Sequence, residues 1–149
     1  MIKLKYCKKL FLFSQTTSLI PSAINCKKGV HMIQTLYHVK EYKEDLIYPA
    51  ICKAMETLGI AGDMRPDVKV VIKPNLIIAK SPDFPVTTHP LVIKAVVRWL
   101  KAQGVKNIVL AESSGGLYNG EHMKNIYQAC GMRQLEPDIT LNMDFSART

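Results

Sequence analysis

Two short patches of this chain carry side chains suited to holding a small charged ligand. The first joins Lys73-Pro74-Asn75 to Thr87-Thr88-His89-Pro90. Lys73 offers a cation, Asn75 and the two threonine hydroxyls offer hydrogen bonds, and a helix opening at Pro90 presents unpaired amides. The second patch is Glu112-Ser113-Ser114-Gly115-Gly116, a strand end running into a turn whose glycines allow close backbone approach and an anion-binding nest. Lys73, Asn75, Thr87, Thr88, His89, Glu112, Ser113, Ser114 and Gly115 therefore form the candidate ligand site.

Each patch also has a plainer meaning. Thr87-Thr88-His89-Pro90 is what any well-capped helix start looks like. The Ser-Ser-Gly-Gly turn lacks the glycine spacing of a dinucleotide loop and the lysine of a P-loop. It is no nucleophile elbow either, because Ala111 and Glu112 stand where such a motif needs glycine. Glu112 can be a ligand or base, or a carboxylate held by nearby turn amides; Lys73 can be a solvated strand end. Cys7, Cys26, Cys52 and Cys130 show no metal-ligand spacing, so neither a zinc site nor an iron–sulfur cluster is encoded within the chain. Cys52 and Cys130 fall on helical segments and read as small core residues. His38 and His122 have no partner in sequence and are given no role.

The elements that must position these residues alternate between strand and helix. Ile33 to Tyr42 leans towards a strand, with Leu36, Tyr37 and Val39 suited to a half-buried pleat. Leu46, Ile47, Ala50, Ile51, Ala54, Met55 and Leu58 recur at three- and four-residue steps on one helix face, with Pro49 in the first turn and Gly59 as the stop. Val68 to Ile72 is a short β-branched run, ended by Pro74. The helix from Pro90 to Gln103 turns Val92, Ala95, Val96, Trp99 and Leu100 inward and closes at Gly104. Asn107 to Glu112 is the next strand, Glu121 to Cys130 a helix ending at Gly131, and Ile139 to Met143 a final strand. Short connections between such elements imply right-handed crossovers. The expected fold is α/β, a mostly parallel sheet with helices on both faces. Ligands in such sheets bind at the carboxyl ends of the strands, where both patches fall.

Composition narrows the function classes. The 149 residues are 48% hydrophobic and 21% charged, a globular balance. No run of 18 apolar residues exists, which excludes a membrane-spanning helix. The formal charge of +8 suggests a polyanionic partner. Yet Lys3, Lys5, Lys8, Lys9, Lys27 and Lys28 sit in residues 1–31 without one acid, leaving a net +2 for the rest. Nucleic acid is thereby disfavoured, since basic tails that bind it carry denser runs. Leu10-Phe11-Leu12-Phe13 is too short for a secretory core. The preferred reading makes residues 1–31 a basic leader that is disordered or not native, with translation starting at Met32. Codons for Lys27-Lys28-Gly29 are purine-rich enough to encode a bacterial ribosome-binding site. The thiols suggest a reducing, cytoplasmic setting.

The run VVIKPNLIIAKSPDFPVTTHPLVIKAVVRWLKAQGVKNIVLAESSGG, residues 70–116, resembles the domain-of-unknown-function family numbered 362. A strand ending in KPN, a TTHP helix start and a strand running into a Ser/Gly turn carry the resemblance, which extends over about residues 32–149. Many members of that family resemble iron–sulfur center proteins, in which ferredoxin-like cysteine motifs follow the domain. The family also looks distantly related to the lactate racemase fold, a ligand-binding α/β scaffold. The resemblance implies that residues 32–149 are the N-terminal part of an incomplete α/β domain, with any iron–sulfur cluster and ferredoxin-like module lying elsewhere in the full-length protein. The function expected is an iron–sulfur-associated, redox-linked protein whose α/β domain binds a small anionic ligand. The rival is a non-catalytic ligand-binding or scaffold domain.

Overall fold

The computed structural model describes residues 3–4, 22–26, 30–35, 37–113 and 119–144. Its central sheet has four strands in the order β1 (Lys3–Leu4), β4 (Lys69–Lys73), β5 (Asn107–Leu110), β6 (Thr140–Leu141). The last three are parallel; β1 lies antiparallel against β4, with Leu4 opposite Ile72. A separate antiparallel pair joins β2 (Ser22–Cys26) to β3 (Val30–Gln34). The helices are α1 (Glu44–Leu58), α2 (Pro90–Ala102) and α3 (Gly120–Ala129), with 3₁₀ turns at Ala61–Asp63 and Met132–Leu135.

The expected α/β architecture with a mostly parallel sheet is therefore present, and three details differ from the sequence reading. The strand expected over Ile33–Tyr42 ends at Gln34. Tyr37 and Val39 still pack half-buried against the core, but from an irregular segment. Helix α1 begins at Glu44 rather than Leu46, because two acids in its first turn suit the positive end of the helix dipole. Pro49 thus lies one turn inside the helix, where its missing amide leaves the Asp45 carbonyl without its usual donor.

The third difference concerns the layers. Along β4 the burial alternates, with Val70 and Ile72 inside and Lys69, Val71 and Lys73 outside; Ile108 and Leu110 of β5 and Leu141 of β6 continue the inner row. Successive strands β4, β5 and β6 are neighbours, and crossovers of the usual right hand between them put α2 and α3 on one face. Helices were expected on both faces. Among the described residues the second face is uncovered, and Val71 is 38% exposed there.

The core lies between that inner row and the helices. Ile47, Ile51, Ala54 and Met55 of α1 and Ile93, Ala95, Val96 and Leu100 of α2 are almost wholly buried. All five residues assigned to the inner face of α2 are inside, and Ile93 and Val97 join them. Each large aliphatic side chain so buried contributes about 1.5–3 kcal/mol. Gly59 stops α1 in the left-handed conformation, φ +59°, as its position in the sequence requires.

Candidate functional site

The carboxyl ends of β4 and β5 converge through the sheet ladder. Ile72 is opposite Leu110, and the Ala111 amide still donates to the Ile72 carbonyl at 3.0 Å, so the pairing runs one residue past the named strands. Side chains alternate faces along a strand, which places Glu112 on the same inner row as Ile108 and Leu110. Its side chain is only 3% exposed. Lys73, on the outer row, remains 47% exposed and donates through Nζ to Glu112 Oε1. The same oxygen accepts the Ser113 amide at 2.7 Å. The other carboxylate oxygen, Oε2, is closed off from solvent and has no hydrogen-bond partner among the described residues.

The loop after β4 is tied to the start of α2 by reciprocal bonds. Asn75 N–H donates to Thr88 Oγ1 and Thr88 N–H donates to the Asn75 carbonyl, both at 2.9 Å. Leu76 and Thr87 pair as an isolated antiparallel bridge. Thr88 is consequently buried. Among the described residues Thr87 Oγ1 is buried without a partner, and Asn75 is tied in through its backbone amide and carbonyl rather than its carbamoyl group. The far side of the same loop rests on the end of α3: Cys130 Sγ donates to the Ile78 carbonyl, and Gly131 sits against Pro82 and Pro90.

His89 is the cap of α2. Its Nδ1 accepts the Leu91 amide at 3.2 Å, and the His89 carbonyl accepts Val92 N–H at 3.0 Å. Because Nδ1 is an acceptor, the ring carries its proton on Nε2. Tyr42 stacks on the imidazole with ring centroids 3.9 Å apart and an interplanar angle of 8°. Burial holds the His89 pKa below its ordinary value, against the opposing pull of Asp83. The first amides of α2 were expected to be available to an anion. They are not: Pro90 has none, and Leu91 and Val92 are already engaged by His89.

The structure thus brings Lys73 to Glu112 and Asn75 to Thr88, and splits the nine candidate residues by use. Thr88 and His89 are committed to local structure. Lys73, Asn75, Thr87 and Glu112 keep unused hydrogen-bonding capacity, and Ser113 is exposed. Ser114 and Gly115 lie outside the described residues. Two residues escaped the sequence reading. Asn119 caps α3 by accepting the His122 amide at 2.8 Å, and an Asn-Gly step before a helix could have revealed it. Tyr42 is 47 positions from His89, and no local pattern announces their stacking.

The described residues do not fit an iron–sulfur cluster. No three of their His, Cys, Asp or Glu side chains gather in metal-binding geometry, Cys52 is half-buried on α1, and the Cys130 thiol is spent on Ile78.

Residues 70–146, just over half of the chain, match the model of a family described as Domain of unknown function (DUF362). The chain belongs to the DUF362 family. The matched span starts inside β4 and takes in α2, β5, α3 and β6, and so holds every candidate site residue. Residues 32–69, also part of the resemblance seen in the sequence, precede the DUF362 match. Comparison with curated proteins and with solved structures returns no match.

Proposed function

We propose that the DUF362 domain binds a small anionic ligand at the carboxyl ends of its parallel strands. The observation that carries this reading is the Lys73–Glu112 pair. Glu112 is buried and fixes one side of the ammonium, while the half-exposed remainder of Lys73 keeps donors for an anion. Asn75, bonded through its backbone, and Thr87, whose hydroxyl has no partner among the described residues, add polar contacts beside it. With the α2 amides engaged, Lys73 rather than the helix terminus supplies the attraction. The domain works, in this reading, within an iron–sulfur-associated, redox-linked protein of the reducing cytoplasm. Support for that association is the membership of residues 70–146 in the DUF362 family, many members of which resemble iron–sulfur center proteins with cluster motifs following the domain.

Two experiments test these claims separately. Inorganic phosphate and succinate are titrated against the protein while its melting is followed. At a ligand concentration about 100-fold above Kd the expected stabilisation is about 2.7 kcal/mol, or about 5–10 °C for a domain of this size. Lys73→Ala and Glu112→Ala should each abolish that shift relative to their own ligand-free baselines; shifts equal to the parent's would reduce both residues to structure. Anaerobic purification of the full-length gene product, with visible absorbance and iron analysis, addresses the redox association. A colourless, iron-free protein overturns it and leaves a non-catalytic ligand-binding domain.

A further inference from the structure

The Glu112 carboxylate is used on one side only. Among the described residues Oε1 takes two donors, the Lys73 ammonium and the Ser113 amide, whereas Oε2 is buried with none. Leaving a buried carboxylate oxygen without a donor is costly, and native proteins rarely tolerate it away from functional sites. Strand alternation sets Glu112 on the covered inner row, so bulk water does not solvate it from the open face of the sheet. Lys73 is the adjustable member of the pair: a half-exposed ammonium on a flexible four-carbon stem, able to turn with an incoming anion beside the carboxylate.

Resting on the anion reading above, we infer that the site selects anions bearing a hydrogen-bond donor next to the charged group. The anion meets Lys73, and a neighbouring hydroxyl or ammonium on the same ligand donates to Glu112 Oε2. Two complementary groups side by side, a cation seeking an acceptor and a carboxylate oxygen seeking a donor, define a ligand with the reverse pairing. A bare anion satisfies only the first. A hydroxylated anion satisfies both and removes the unpaired oxygen at the same time. Carboxylate and phosphate ligands share this chemistry, and the probes below tell them apart.

The test uses the whole chain and two matched pairs of probes, succinate with malate and ethyl phosphate with 2-hydroxyethyl phosphate. Calorimetric titration gives the four dissociation constants. One hydrogen bond to a charged acceptor should make the hydroxylated member of the preferred pair bind about tenfold more tightly. Glu112→Gln, which keeps the shape and replaces one oxygen by a donor, should reduce that preference to less than about twofold while the parent anion still binds. Equal affinities within both pairs in the unmodified protein, with binding still lost in Lys73→Ala, would overturn this inference and leave the anion reading standing. No binding of any probe would overturn both. Because the first comparison needs no variant, poor folding of Glu112→Gln cannot rescue the idea.

Discussion

His89 shows how one side chain couples local structure to pH. Its neutral ring caps α2 through Nδ1 and stacks on Tyr42, and both uses sit beside the residues proposed to bind the ligand. Burial lowers its pKa, so the folded chain resists a proton that the unfolded chain accepts near the ordinary value of about 6.5. The stabilisation is therefore complete above about pH 6.5 and is lost as pH falls through the depressed folded value. Melting temperature should be flat from pH 7 to 8 and decline below about pH 6.5, with His89→Asn, which retains a cap acceptor, showing a shallower decline. An unchanged acid slope in that variant would place the proton uptake elsewhere. His89→Ala should cost about 1–2 kcal/mol at pH 7.5 by denaturant melts, from the lost cap and stacking together.

Among the elements, the junction between the β4–α2 loop and the end of α3 decides where the candidate site is held. Gly131 adopts φ +70°, and a Cβ there would come within 3.3 Å of Pro82 and 3.5 Å of Pro90. Gly131→Ala combines left-handed strain with pressure on two rigid rings, and should destabilise the protein by about 1–2 kcal/mol. Gly59 also has positive φ, at +59°, but open space around it, so Gly59→Ala should cost less. If chemical denaturation ranks the two the other way, the loop does not bear on α3 as described. Because that loop carries Asn75 and Thr87, Gly131→Ala should also weaken anion binding at a distance, an effect Gly59→Ala should not have.

At the scale of the whole molecule the decisive feature is the uneven cover of the sheet by the described residues. Parallel sheets are ordinarily covered on both faces, yet here the alternation along β4 buries Ile72 fully and leaves Val71 38% exposed. Val71→Thr should change stability by less than about 0.5 kcal/mol, as surface substitutions do. Ile72→Thr should cost several times more, because it sets a hydroxyl in the closed inner row. Comparable losses for the two substitutions, read from urea melts, would mean that the outer face is covered after all. The exposed outer row carries Lys69 and Lys73 beside Val71, so the uncovered face is of mixed polarity rather than a continuous apolar patch.

Local pattern determines a good deal of this protein. The three- and four-residue recurrence in α1 and α2 specifies both helices and their buried sides, since the period belongs to the backbone and needs no distant partner. The β-branched runs mark β4 and β5, and Pro90, Gly59 and Gly104 punctuate the helix ends for reasons of their own φ preferences. KPN, TTHP and the Ser/Gly turn carry the family. Contacts between distant segments are another matter. Glu112 reads equally well as ligand, base or turn carboxylate until the parallel register sets it 39 positions away against Lys73 and leaves Oε2 unpaired. His89 reads, with Thr88, as one of two possible caps until Tyr42 lies over it and the α2 amides prove to be occupied. One-sided cover was equally hidden, because it follows from the order of strands in space, which no local period records.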